Sequence, residues 1–219
     1  MRFSVGAPAW GAALLAALLV SGCTRVVDTP RPSSQIPVAP IVAGQVGELL
    51  SPKVQGEEGN LFTTVLPEDC AGVAREVDPP FIHNPGPAVT DGGHWTDELG
   101  GREVFIEEMV GLYRANFDPK EAVAQARRTI ESCRDKTIFV TTMREREYAF
   151  RIGRIGDAGS PNSVTWSMTA PDWACDNLYV AAYNAAIEIT TCGEVNGYDV
   201  DTLARQALDR IEKLANTAA

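Results

Sequence analysis

Histidine is scarce in this chain, because His83 and His94 are the only two among 219 residues. The five cysteines include no C-x-x-C pair. Structural zinc sites use closely spaced cysteines or cysteine–histidine pairs, so this composition argues against zinc. We predict no metal and no cofactor.

Basic residues are also few, with 19 Lys and Arg against 29 Asp and Glu, for a formal net charge of −10. Nucleic-acid-binding proteins carry a basic face, so this balance excludes nucleic acid as an expected partner. The acidic body is likewise not expected to lie on an anionic lipid surface.

Catalytic motifs are missing from the sequence, which has neither a G-x-S-x-G elbow nor a glycine-rich phosphate loop. The adjacent carboxylates Glu107 and Glu108 fall in a predicted strand, where neighbouring side chains point to opposite faces. They are therefore not expected to work together as an acid–base pair. We predict that the protein is not an enzyme, with an envelope hydrolase as the least favoured alternative.

No apolar run is long enough to span a bilayer, since the longest near the start covers only residues 12–20. Arg2 precedes this run, and the sequence LVSGC follows at residues 19–23. This order resembles the lipobox of bacterial lipoproteins. Residues 1–22 are then a lipoprotein signal peptide. Cys23 is the acylated (palmitate-bearing) residue that anchors the protein to the extracytoplasmic face of the cell membrane. The alternative is an ordinary secretory signal followed by a chance cysteine.

The remaining chain divides into a proline-rich tether, residues 23–45, and one domain, residues 46–217. Within the domain, alternation predicts a strand over 104–113, and Asp118 followed by proline predicts a helix start. Residues 66–101 are rich in proline and glycine and are predicted to be mostly loop. Four β-like segments (137–143, 148–155, 163–169 and 175–192) precede a terminal helix over 200–215. This pattern indicates an α+β fold.

The four cysteines after Cys23 predict two disulfides in an exported chain, with three possible pairings. A two-residue turn at Tyr183 and Asn184 folds segment 175–192 into a hairpin in which Cys175 faces Cys192. We therefore predict the Cys175–Cys192 bond. Cys70 then pairs with Cys133.

Three further segments point to a family: LPEDC around Cys70, YRANFDPKEAVAQARRTIESC up to Cys133, and DWACDNLYVAAYNAAIEITTCG across Cys175 and Cys192. With the terminal segment DVDTLARQALDRIEKLA, they resemble the PknH-like extracellular sensor domain of mycobacterial and related actinobacterial proteins. The resemblance implies a twisted antiparallel sheet flanked by helices, two disulfides and a cleft. It also implies binding of an extracellular ligand that is not established.

Candidate ligand-binding residues come from two places in the chain. Arg144 and Arg151 belong to its only basic cluster, where interleaved glutamates favour cross-strand ion pairs. The more specific hypothesis is that these arginines bind an anionic ligand. His94 and Trp95 follow two glycines and are expected at a cleft mouth. We predict an envelope lipoprotein that binds an unidentified ligand or envelope protein. The alternative is a scaffolding lipoprotein with no small-molecule site.

Overall fold

The computed structural model describes residues 41–57, 59 and 61–217. The predicted signal peptide (1–22), Cys23 and most of the predicted tether lie outside the described residues. No helix in the described ranges has the length and hydropathy of a membrane span.

Eight strands form a single antiparallel sheet in the order β1-β4-β5-β6-β7-β8-β3-β2. The strands are Phe62–Leu66 (β1), Val89–Leu99 (β2), Arg102–Leu112 (β3), Thr137–Thr142 (β4), Glu147–Gly156 (β5), Ser163–Thr169 (β6), Ala174–Ala182 (β7) and Ala185–Gly193 (β8). The helices are Pro80–His83 (α1), Pro119–Ser132 (α2) and Val200–Thr217 (α3), with 3-10 helices at Ala43–Leu49 and Glu68–Cys70. The α+β prediction is confirmed.

Helices cover both faces of the sheet, which we call the α2 face and the α3 face. Strands β7 and β8 are buried along their whole length because each face has its own core. Alternation along β3 sends Met109 to the α2 face, and Ile106 and Val110 to the α3 face. These are the faces that the sequence pattern predicts.

The β7–β8 hairpin has the predicted register, with Cys175 opposite Cys192 and Ala182 opposite Ala185. Its turn differs in one respect, because Tyr183 rather than Asn184 adopts a positive φ, of 53°. The Asn184 amide is used elsewhere: it accepts a hydrogen bond from the Ile41 N–H and donates to the Ile41 carbonyl, both at 2.9 Å. The packed structure therefore includes residues that the sequence prediction gave to the tether.

Both predicted disulfides are present, Cys70–Cys133 and Cys175–Cys192. The first joins the 3-10 helix at residues 68–70 to the end of α2, with Cα atoms 5.8 Å apart. Helix α2 begins as predicted, because the Asp118 carboxylate accepts the Lys120 N–H at 3.0 Å and the Glu121 N–H at 3.1 Å. Helix α2 is thus capped at its N-terminus and held by the disulfide at its C-terminus.

The prediction of a mostly loop segment over 66–101 is wrong for its last third, where β2 forms an 11-residue edge strand. One of the two glycines that suggested a loop, Gly93, has a packing role instead. A Cβ on Gly93 would lie 2.5 Å from Val54 Cγ1 and 2.6 Å from the Gly56 carbonyl oxygen. Only glycine lets the segment around Val54 approach β2 this closely.

Candidate functional site

A cavity of about 510 Å³ opens on the α2 face. One wall comes from β2 and β3 and the other from the β4–β5 hairpin, with Trp173 between them. Strands β6, β7 and β8 separate these walls in the sheet order. The sheet must therefore curl to bring its two ends around one space, and the cavity is the concavity that this curl creates.

Three aromatic rings bridge the walls, and we call Phe105, Trp173 and Tyr148 the aromatic row. The Trp173 ring stacks on Phe105 with centroids 6.2 Å apart, and on Tyr148 with centroids 6.0 Å apart. Such contacts contribute about 1 kcal/mol each beyond simple burial. The row gives the cavity an apolar side in which Trp173, from the β6–β7 connection, joins side chains of β3 and β5.

Two arginines lie at the mouth because of a tight turn between β4 and β5. The Thr142 hydroxyl accepts the N–H groups of Arg144 at 3.2 Å and Arg146 at 3.1 Å, and Glu145 between them has a φ of 60°. The Arg146 guanidinium binds Asp172 and lies 4.7 Å from the centroid of the Tyr148 ring. Arg144 is exposed and forms no side-chain hydrogen bond or ion pair within residues 41–57, 59 and 61–217. The cavity thus has one arginine held in place and one available to a ligand.

The inner wall of the cavity is polar. Glu107 is only 6% exposed, and its carboxylate accepts the Gly59 N–H at 3.2 Å. His94 lies directly opposite Glu107 in the β2–β3 register, and its Nδ1 donates to the Glu57 carbonyl oxygen. The ring of His94 is therefore oriented by backbone, and a carboxylate lies next to it on the same sheet face.

The second carboxylate of the Glu107–Glu108 pair lies on the α3 face, as predicted. Glu108 is fully buried, binds the Arg210 guanidinium and accepts the Ser51 N–H at 2.9 Å. Burial raises the pKa of Glu108, although the charge of Arg210 opposes that change. Together with Arg210, which donates to the Leu49 carbonyl, Glu108 ties α3 to residues 49–51 and takes no part in the cavity.

The structure brings together three of the four predicted ligand residues. Arg144, His94 and Trp95 all line the cavity, whereas Arg151 is an exposed residue of β5 outside it. Trp95 contributes to the wall only in part, because its side chain is 2% exposed and packs in the core of the α3 face. Its ring is therefore closed to a ligand, since the side chain follows β2 alternation away from His94.

Sequence reasoning missed the aromatic row and Glu107 as cavity residues. Phe105 was already on the face opposite Val104 in the strand pattern, which was the available signal. Tyr148 and Trp173 reach it only through the curl of the sheet, which no local pattern encodes. Within the described ranges, no cluster of three or more His, Cys, Asp or Glu could hold a metal ion.

Comparisons with known proteins agree on one relationship. A family model described as "PknH-like extracellular domain" matches residues 32–210. The crystal structure of the extracellular domain of PknH from Mycobacterium tuberculosis superposes with a TM-score of 0.65 at 18% sequence identity, covering 80% of this chain and 99% of that one. No curated protein sequence matches the chain.

Proposed function

The chain belongs to the PknH-like extracellular domain family, and from that premise we propose that it is a cell-envelope lipoprotein whose sensor-like domain binds a ligand in the cavity on the α2 face. The domain acts by binding and catalyses no reaction. It is held at the extracytoplasmic face of the membrane by acyl chains on Cys23.

The observation that carries the binding proposal is the composition of the cavity. A concave space of about 510 Å³ with apolar walls and a few convergent polar groups is the usual form of a small-molecule site. Here the aromatic row supplies the apolar side, while Arg144 and Glu107 supply polar groups at the mouth and the inner wall. A purely scaffolding role would give no reason for an arginine that has no ion pair among the described residues to lie beside stacked rings.

The anchoring proposal rests on the sequence LVSGC at residues 19–23 and on the acidic composition of the chain. Cys23 is also the one cysteine that the two disulfides leave over. Cys23→Ala is expected to move the protein from the membrane fraction to the soluble fraction after cell fractionation. A variant that stays with the membrane would overturn the lipid-anchor proposal.

The binding proposal is tested by filling the cavity. Thr96 is exposed and lines the cavity on β2, so Thr96→Trp places a large ring in the binding space. Thr169→Trp on β6 is the matched control, because Thr169 is an exposed strand threonine that does not line it. A library of cell-envelope metabolites is screened by thermal shift with the full-length, disulfide-intact protein in detergent, since a ligand of the native state raises its stability. Stabilisation that disappears in Thr96→Trp and persists in Thr169→Trp supports the cavity; stabilisation that survives in both contradicts it.

A further inference from the structure

Four buried polar side chains of β7 and β8 have atoms without a hydrogen-bond partner among the described residues. They are the Asn177 Oδ1, the Thr190 Oγ1, the Tyr179 hydroxyl and both carboxyl oxygens of Glu188. Each residue is at most 3% exposed. Buried polar groups are almost always hydrogen-bonded, because an unpaired one loses its water contacts without compensation. Four such groups on two paired strands therefore require an explanation.

The strand register connects these groups to the cavity. Asn177 lies opposite Thr190, Thr190 lies opposite Glu107, and Glu107 lies opposite His94. Cross-strand neighbours share a sheet face, so these side chains form one line across β7, β8, β3 and β2 on the α2 face. We call Asn177, Thr190, Glu107 and His94 the polar line. Its outer half lines the cavity and its inner half is buried.

Tyr179 and Glu188 form the next cross-strand pair on the same face. Burial raises the pKa of Glu188 to about 8, so its carboxyl group is mostly protonated at neutral pH. A protonated carboxyl, an amide oxygen and two hydroxyls are all uncharged, and together they both donate and accept hydrogen bonds. These are the partners that ligand hydroxyl groups require.

We infer that the cavity takes an acidic carbohydrate, whose hydroxyl groups bond to the polar line while its acid group pairs with Arg144. This inference rests on the proposed ligand-binding function and names its substrate class. The apolar C–H face of the sugar ring packs on the aromatic row, which lies between the arginine and Glu107. The acid group faces outward because Arg144 lies at the mouth of the cavity. Thr190 lies opposite the cavity residue Glu107 and Asn177 lies opposite Thr190, so the backbone amides of both are expected to report binding.

The test uses glucuronate and glucose 6-phosphate as acidic sugars. Glucose removes the acid group, and cyclohexanecarboxylate keeps an acid and a ring but removes the hydroxyls. Binding is measured by amide chemical shifts of the full-length, disulfide-intact protein in detergent. At least one acidic sugar is expected to change the amide chemical shifts of Thr190, Asn177 and Trp173. Glucose and cyclohexanecarboxylate are each expected to bind at least tenfold more weakly. Equal binding of glucose or of cyclohexanecarboxylate overturns the inference.

Two variants locate the contacts. Arg144→Ala is expected to weaken binding of the acidic sugar at least tenfold, whereas Arg151→Ala, outside the cavity, leaves binding unchanged.

Thr190→Val removes only the unpartnered hydroxyl, so it is expected to raise the unfolding temperature of the free protein while weakening sugar binding at least fivefold. Thr191→Val is its control, because the Thr191 hydroxyl bonds to the Asp176 carbonyl and is not in the polar line. Unchanged sugar binding in Thr190→Val, with lower stability, would mean that the hydroxyl serves only ordered water and would overturn the inference.

Failure of the carbohydrate class is separable from failure of the binding function. If neither acidic sugar binds but a library compound loses its stabilising effect in Thr96→Trp, the cavity is a binding site and the carbohydrate inference is wrong. If an acidic sugar binds and still stabilises Thr96→Trp fully, the cavity assignment and the inference are both wrong.

Discussion

Glu188→Gln gives the most direct test of the buried polar groups, through the pH dependence of stability. Glu188 is fully buried on β8, opposite Tyr179 on β7 and Met109 on β3. Burial is the main cause that raises its pKa from 4.5 to about 8; the Arg75 charge opposes the rise and the Glu76 charge adds to it. Gln keeps the shape of the side chain but has no proton to lose.

The direction of the effect follows from the proton count. Between about pH 5 and pH 8 the folded protein holds a proton on Glu188 that the unfolded chain has released. Stability therefore falls as the pH rises through this window, by up to about 1.4 kcal/mol per pH unit, and levels off above the folded pKa. Across the whole interval between the two pKa values, 4.5 and about 8, the free energy of unfolding falls by at most about 5 kcal/mol.

Urea unfolding of wild type and Glu188→Gln at several pH values measures this contribution. The stability of the variant relative to wild type is expected to increase steadily from pH 5 to pH 8. Other buried carboxyls with a raised pKa, such as Glu108 and Asp176, act in both proteins and cancel in the difference. Glu98→Gln, on an exposed carboxylate of β2, is the control and should show no such trend. Parallel stability curves for Glu188→Gln and wild type would refute the reasoning.

Three further predictions concern the parts of the fold that frame the cavity. Removing the Cys70–Cys133 disulfide by double Ser substitution should cost about 4 kcal/mol in chemical denaturation, because the bond closes a sequence separation of 63 residues. Arg210→Met should cost about 3–5 kcal/mol because it leaves the Glu108 charge buried without its partner, and adding Glu108→Gln should recover part of that loss. Gly93→Ala should cost about 1–3 kcal/mol in thermal unfolding, since its Cβ would overlap the neighbouring backbone.

Each of these has an outcome that would contradict it. Equal losses from opening Cys70–Cys133 and the shorter Cys175–Cys192 loop would argue against the loop-length explanation. A double variant no more stable than Arg210→Met alone would show that the unpaired charge is not the cause. A loss in Gly44→Ala as large as that in Gly93→Ala would remove the steric argument, because a Cβ on Gly44 meets nothing within 4 Å.

Local patterns predicted most of the fold. The β7–β8 register followed from one turn and the period of two, and both disulfides followed from that register. The strand β2 was missed because its glycines and polar residues are typical of loops. Gly93 instead allows the close approach of Val54 and Gly56, which is a tertiary contact with no local signature.

The cavity was predicted only in outline. Arg144 and Arg151 were chosen together as members of the basic cluster, and the structure places Arg144 at the cavity and Arg151 outside it. His94 was chosen because it follows two glycines, and it lines the cavity. Trp95 was assigned to a loop, and its burial on the α3 face follows from the strand that the sequence prediction missed. The aromatic row depends on the curl of the whole sheet, so it could not be read from any single segment.

The three strands between the walls have a mechanical consequence. Adjacent strands are rotated by about 20–25° on average, and small changes in that angle add up across β6, β7 and β8. A molecule that contacts both Phe105 and Tyr148 therefore spans two strands whose relative position depends on the twist across β6, β7 and β8. The turn between β7 and β8 carries Asn184, whose side chain forms two hydrogen bonds with the backbone of Ile41, where the described chain begins. The strands that separate the cavity walls thus also fix the position of Ile41.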